Sequence, residues 1–143
     1  MSLTLAQASD IAAGTLAAAR TNNAKPMAVV VLDAGGHPIT LSREDGASFF
    51  RHEIAHAKAY GALGMGADTR AVAQRAKNNP VFFSSVTVTV GGNLPLSPGG
   101  VLVRDNNGNI IGAVGVSGDT GDMDEQCAQS GIEAADLAHG SQA

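Results

Sequence analysis

The chain is poor in aromatic residues: they make up 3% of its 143 residues, and tryptophan is absent. Hydrophobic residues still reach 44%, so the core must be built mainly from Ala, Val, Ile and Leu. Small side chains let packed elements approach one another closely. A chain of this length suits one hydrophobic core, and we expect a single domain over residues 1–143.

Positive charge is also scarce, with 9 Lys and Arg against 13 Asp and Glu and a net charge of −4. This balance argues against nucleic acid and anionic membranes as partners, because both are bound through basic surfaces. The longest apolar run, from Met27 to Leu32, is too short to cross a bilayer. The N-terminus has no basic region followed by an apolar stretch, so we expect a cytoplasmic protein.

Cysteine is almost absent. The single Cys127 cannot form an internal disulfide, which agrees with a reducing compartment. Its sequence neighbourhood offers neither a helix start nor a basic partner, the features that activate thiols. We therefore expect a buried, unreactive thiol.

Four segments have helical patterns. Thr4 and Gln7 have the spacing of a capping box, which predicts a first helix over residues 5–21. A middle helix is expected from Ala47 to about residue 64, and a shorter one from Asp68 or Thr69 to Asn78, ending before Pro80. A last helix is expected from Asp122 to about residue 138.

The strand patterns are organised as hairpins. Residues 27–32 and 37–41 flank a Gly-rich turn, and residues 101–103 and 110–116 flank an Asn-Gly turn. Residues 84–90 alternate Val with Ser and Thr, which predicts an edge strand. Together these elements indicate an α+β fold, with a mostly antiparallel sheet of about five strands flanked by helices.

Glycines recur in the last of these strands and just after it, at Gly112, Gly115 and Gly118. Such spacing marks positions where another element or a ligand comes close to the backbone. A phosphate cradle is disfavoured, because Asp119 and Asp122 follow directly and would repel the anion. Helix capping and close packing are the favoured interpretation.

His52 and His56 are four residues apart on the predicted middle helix, so they share one face with Tyr60 and Phe49. Imidazoles beside aromatic rings could bind a metal or one edge of a flat apolar ligand such as a porphyrin. A half-buried helix face or a subunit contact remains the alternative.

The same histidines complete a His-Glu-x-x-His motif with Glu53. On a helix this motif presents two zinc ligands and a glutamate that acts on the metal-bound water. Glu133 on the last helix is a conceivable third ligand. Short motifs also arise by chance, so zinc hydrolysis is a minor alternative.

Arg43 and Asp45 stand between the second strand and the middle helix, and Lys58 follows on that helix. Arg43 and Lys58 could hold a small carboxylate substrate, with Asp45 as an orienting group or base. The alternative is that Asp45 caps the helix and Arg43 is solvated.

In four segments the chain resembles the GlcG/HbpS-like family of haem-binding and haem-degrading-type domains, which also occurs at the C-terminus of PduO-type proteins. The segments are residues 31–36, 43–47, 55–59, and Gly99-Gly100 together with 111–118. The resemblance implies an antiparallel sheet flanked by helices, homo-oligomers, and a place in small-molecule catabolic operons.

The resemblance also implies that haem or a related tetrapyrrole is the ligand. Among the residues of this chain, His52 and His56 are the obvious imidazoles to ligate its iron. An enzyme of the isomerase or hydrolase type, acting on a small carboxylate, is the second hypothesis. A ligand-free assembly partner of a neighbouring enzyme is the third.

Overall fold

The computed structural model describes residues 2–140, and within them the chain forms five helices and five strands. The helices are α1 (Leu5–Thr21), α2 (Arg51–Met65), α3 (Thr69–Asn78), α4 (Pro80–Thr89) and α5 (Gly121–Ala134). The strands are β1 (Ala28–Asp33), β2 (Pro38–Arg43), β3 (Gly100–Arg104), β4 (Ile110–Ser117) and β5 (Ala138–His139).

The strands form one sheet in the order β2-β1-β4-β3-β5, and every pair is antiparallel. Side chains of a strand point alternately to its two faces. Val29 and Val31 accordingly pack with α1 and α5, whereas Val30 and Leu32 pack with α2 on the opposite face. The predicted α+β class and antiparallel sheet of five strands are therefore confirmed.

The first helix begins as predicted. The Thr4 hydroxyl accepts a hydrogen bond from the Gln7 amide at 3.1 Å, and the Gln7 side chain accepts one from the Thr4 amide at 3.1 Å. These bonds satisfy amides that have no partner within the helix. The last helix ends at Ala134, earlier than predicted. Asp136 has a positive φ of 58°, and Ala138 pairs with β3.

The predicted edge strand over residues 84–90 is wrong, because this segment belongs to α4. Pro80 is at the start of the helix, where its fixed φ suits helical geometry and its missing N–H costs nothing. Phe83 anchors the helix in a small core with Val72 and Leu94. The alternation of residue types matched the period of a strand, but burial of Phe83 decides the conformation.

The middle helix also begins later than predicted, at Arg51. Residues 44–50 form a loop in which Gly46 has a φ of +84°, a conformation that favours glycine. Phe50 is at the cap position and makes no side-chain capping bond. The alternative interpretation of Asp45 as the helix cap is therefore wrong.

Glycines in and just after β4 permit close approach of neighbouring backbone, and Gly115 lets α2 lie directly against this strand. A Cβ atom at Gly115 would be 1.8 Å from the Ala55 carbonyl oxygen. A Cβ at Gly112 would lie 2.3 Å from the Leu32 carbonyl oxygen, and one at Gly118 would lie 2.4 Å from Met27 Cβ. The predicted close approach at these three glycines is confirmed.

Among the described residues, no helix combines the length and the apolar character needed to cross a bilayer.

Candidate functional site

Helix α2 packs across β4, β1 and β3, and only its margin approaches β2. One flank of the helix is occupied by the loop before β3, because a Cβ at Gly61 would be 2.8 Å from the Asn93 carbonyl oxygen. The other flank faces β2, one of the two edge strands of the sheet. This second flank is open.

The register of the sheet shows which side chains of β2 lie beside α2. Leu41 pairs with Val30, and Arg43 pairs with Ala28. Val30 and Ala28 both belong to the core under α2, and cross-strand partners share a face. Leu41 is 50% exposed, so α2 leaves this part of β2 uncovered.

The facing stripe of α2 carries His52, His56 and Tyr60. Tyr60 approaches the turn between β1 and β2, where a Cβ at Gly36 would be 3.1 Å from its ring. His56 stacks on Tyr60, with 5.7 Å between ring centroids and 22° between ring planes. We name the surface formed by His52, His56, Tyr60, Leu41 and Arg43 the α2–β2 groove.

Both imidazoles of the groove are accessible. The His52 side chain is 35% exposed, and its Nε2 is 3.8 Å from a Glu53 carboxylate oxygen. His56 is half-buried under its contact with Tyr60. The predicted stripe of imidazole and aromatic residues therefore exists for these three side chains.

Phe49 is not part of that stripe. Because α2 begins at Arg51, Phe49 lies in the preceding loop and not on a helix face. Its ring packs edge-on against Phe50, with 5.3 Å between centroids, and it is largely exposed. The expectation that Phe49 shares the helical face of His52 is wrong.

The side chain of Lys58 lies on the buried face of α2 and not in the groove. It is buried, its Nζ forms an ion pair with Asp124 at 3.1 Å, and it donates to the Val116 carbonyl at 3.0 Å. Burial lowers the pKa of Lys58, while the Asp124 carboxylate opposes that shift. The structure therefore does not bring Lys58 to the exposed end of β2, where Arg43 lies, to hold a carboxylate.

Arg43 and Asp45 line a polar cleft at the end of β2, together with Arg20, Pro26 and Glu44. Arg20 and Glu44 form an ion pair at 3.0 Å, and Glu44 also accepts the Met27 amide. Arg43 donates to the Ala47 carbonyl at 3.2 Å. Two of the three residues predicted for a carboxylate site are thus neighbours.

The structure contradicts the zinc alternative. Glu133 lies on α5, on the face of the sheet opposite α2, where it pairs with His139 at 3.0 Å. Among residues 2–140, no group of three His, Cys, Asp or Glu side chains is placed to hold a metal ion. His52 and His56 therefore have no third protein ligand to complete a zinc site.

Cys127 is buried in the core between the sheet, α1 and α5. Burial raises the pKa of its thiol to about 11, since the thiolate would be poorly solvated there. The prediction that the thiol is buried is confirmed, and its lack of reactivity stays a prediction.

Sequence reasoning did not single out Arg51 or the partnership of Lys58 with Asp124. Arg51 donates from Nε to the Ser48 hydroxyl at 3.1 Å and from Nη1 to the Ser117 hydroxyl at 3.2 Å. The position of Lys58 among the small residues Ala55, Ala59 and Ala62 is typical of a lysine in a buried ion pair. The sequence does not reveal its partner, because Asp124 is 66 residues away.

Comparisons with known proteins agree with this architecture. A family model described as haem degrading protein HbpS-like matches residues 3–133. A crystal structure of HbpS is 30% identical, with a TM-score of 0.80 over 93% of this chain and 89% of that chain. Klebsiella pneumoniae ORFY is 28% identical, with a TM-score of 0.84 over 93% of this chain and 90% of that chain.

A third structure, of a PduOC:heme complex, is 22% identical, with a TM-score of 0.88 over 99% of this chain and 100% of that chain. At that identity the likeness shows the fold alone. No curated protein sequence matches the chain significantly.

Proposed function

This chain belongs to the HbpS-like family, and on that premise we propose that it binds haem or a related tetrapyrrole in the α2–β2 groove. His52 or His56 supplies the axial nitrogen. The observation that carries the proposal is the presence of two accessible imidazoles and the exposed ring of Tyr60 on the flank of α2 that faces the exposed Leu41 of β2. The haem complex of PduOC supports the choice of ligand.

The residues of the groove fit a tetrapyrrole. Leu41 and the ring of Tyr60 offer exposed apolar surface for the macrocycle, and burial of such surface favours binding. A neutral imidazole is a common iron ligand. Bound haem would supply redox-active iron. The protein's part is to place the imidazole, to cover one face of the ring and to exclude water from it.

Titration of haemin into the purified protein tests this proposal. We expect a shifted Soret band that saturates at one haemin per chain. His52→Ala or His56→Ala should abolish or move that band. His139→Ala is the matched control, because His139 is paired with Glu133 on another part of the fold. Equal spectra for all three variants would refute ligation by the groove.

We also propose that copies of the chain associate through α4. Val81 is 83% exposed and Val88 is 79% exposed. No charged residue occurs between Lys77 and Arg104, so two copies can meet here without like-charge repulsion or a buried unpaired charge. Val81→Asp together with Val88→Asp should lower the mass measured by light scattering, whereas Gln74→Asp on α3 should not. An unchanged mass would contradict this interface.

A second candidate function uses the polar cleft at the end of β2. Arg43 would bind a small carboxylate there, and Asp45, exposed in the same cleft, would be the orienting group or base of an isomerase or hydrolase. The observation in its favour is that these two side chains line one cleft. Thermal shifts with a panel of small hydroxy acids, lost in Arg43→Gln, would support it. Absence of any shift would remove it.

The family resemblance also supports a proposal about the cellular setting. We propose a cytoplasmic protein of a small-molecule catabolic operon, whose genes would code for enzymes of that pathway. Neighbouring genes without such enzymes, or recovery of the protein outside the cytoplasmic fraction, would contradict this setting.

A further inference from the structure

Two arginines lie at the same end of the α2–β2 groove. Arg43 is the last residue of β2, and Arg51 is the first residue of α2. Arg43 Nη1 donates to the carbonyl of Ala47, and Arg51 Nε donates to the hydroxyl of Ser48. Because Ala47 and Ser48 are adjacent, one loop positions both guanidinium groups.

The sheet register places both arginines on the same face. Ala28 pairs with Arg43 on one side and with Ser117 on the other. Arg51 Nη1 donates to Ser117 Oγ, so its guanidinium lies over that position. Two strand spacings separate the Cα atoms of Arg43 and Ser117, which is about 10 Å. The guanidinium of Arg51 therefore lies over β4, two strands away from the Cα of Arg43, and both side chains are on the α2 face of the sheet.

Within residues 2–140, neither guanidinium has a carboxylate within 4.0 Å. Acids close to them in the sequence are otherwise engaged or exposed: Glu44 pairs with Arg20, and Asp45 and Glu53 are exposed. Lys58 adds no net charge here, since Asp124 neutralises it. Arginine is well suited to carboxylates, because its planar fork donates two parallel hydrogen bonds.

Along α2 the groove changes from charged to apolar. Arg51 precedes His52 directly, His56 follows one turn later, and Tyr60 with the neighbouring Leu63 lies at the far end. A ligand that suits this gradient has carboxylates on one edge and hydrocarbon on the other. Resting on the proposed function, we infer that Arg43 and Arg51 bind the propionate carboxylates of haem and set its orientation, with the apolar edge toward Tyr60.

Haemin and its dimethyl ester separate this inference from simple haem binding, because the ester keeps the iron and the macrocycle but has no charged propionates. We expect Arg43→Gln and Arg51→Gln each to raise the Kd for haemin about fivefold to tenfold. The Kd for the ester should change less than about twofold, since the lost contact is one that the ester never makes. The Soret maximum should not move, since the imidazole ligand is untouched.

Arg75→Gln is the matched control, because Arg75 is exposed on α3 and lies outside the groove. Haemin affinities of the groove variants equal to that of the control would overturn the inference. Equal weakening of haemin and ester would also overturn it, since that pattern reports a structural defect. If the wild-type protein gives no histidine-dependent Soret band at all, the proposed function fails and the propionate site with it.

Discussion

Replacement of Gly115 by alanine tests how α2 is held on the sheet, and with it the placement of the groove. The new Cβ would lie 1.8 Å from the Ala55 carbonyl oxygen and 2.9 Å from the Ala59 amide nitrogen. Both are backbone atoms of α2, so no side-chain rotation can relieve the overlap. Cβ contacts shorter than 3.0 Å essentially do not occur in proteins.

The helix must therefore retreat from β4 by about 1 Å, and a gap of that size forfeits a quarter to a half of the dispersion energy of each contact it opens. The contacts concerned are those of Ala55, Ala59 and Ala62 with Val30 and Leu102. Overpacking of a dense core typically costs about 1–3 kcal/mol. Because the obstacle is backbone, we expect a loss of about 3 kcal/mol in the free energy of unfolding.

Urea unfolding followed by far-UV circular dichroism measures this difference. For a chain of this size, about 3 kcal/mol corresponds to a decrease of roughly 6–12 °C in Tm. Gly64→Ala is the matched control in the same helix, because a Cβ there meets nothing within 4 Å. It should leave stability unchanged or raise it by about 0.5–1 kcal/mol. If both variants unfold at the same urea concentration, the proposed close packing of α2 on Gly115 is refuted.

Three further predictions concern buried and hydrogen-bonded groups. Cys127 should not react with a thiol reagent at pH 8 until the protein is unfolded, because burial raises the pKa of its thiol to about 11. Rapid reaction of the native protein would contradict its burial. Lys58→Met should lower the free energy of unfolding by about 3–5 kcal/mol, since it leaves Asp124 charged and buried. The double variant Lys58→Met with Asp124→Leu should recover most of that loss. Equal urea midpoints for the single and double variants would show that the pair is not coupled. Asp105 accepts hydrogen bonds from the backbone amides of Asn109 and Asn107, which lower the pKa of its carboxyl below 3.8. Below about pH 3.8 the unfolded chain therefore binds more protons than the folded one. Stability falls as the pH decreases through that range. Asp105→Asn should lose less stability between pH 7 and pH 3 than the wild type, and an equal loss would refute the assignment.

Local signals in the sequence predicted most elements correctly. The capping box of Thr4 and Gln7 sets the start of α1, and the Asn-Gly turn joins β3 to β4, because these conformations depend on neighbouring residues. The failure at residues 84–90 has a physical reason. Alternation of Val with Ser and Thr is compatible with a half-buried strand, but the burial of Phe83 against α3 is a tertiary contact.

The candidate site was predicted in part for the same reason. The helical period alone puts His52, His56 and Tyr60 on one face, and the structure keeps them together. Phe49 was misplaced, because the start of α2 carries no capping side chain that the sequence would reveal. Lys58 was misassigned, because its partner Asp124 is distant in sequence. The two side chains meet only in the folded protein, where Asp124 of α5 lies next to Lys58 of α2.

By itself, the sequence determined the small-residue core, the antiparallel hairpins, the glycines that bring elements together and the histidine stripe of α2. These depend on residue size and on periods of two or 3.6 residues, which are local properties of the chain. Only the tertiary structure decided which flank of α2 is open, that Lys58 is neutralised by Asp124, and that one loop holds the side chains of both Arg43 and Arg51. Each of these depends on which strands lie next to one another, and strand order follows from packing of the whole chain.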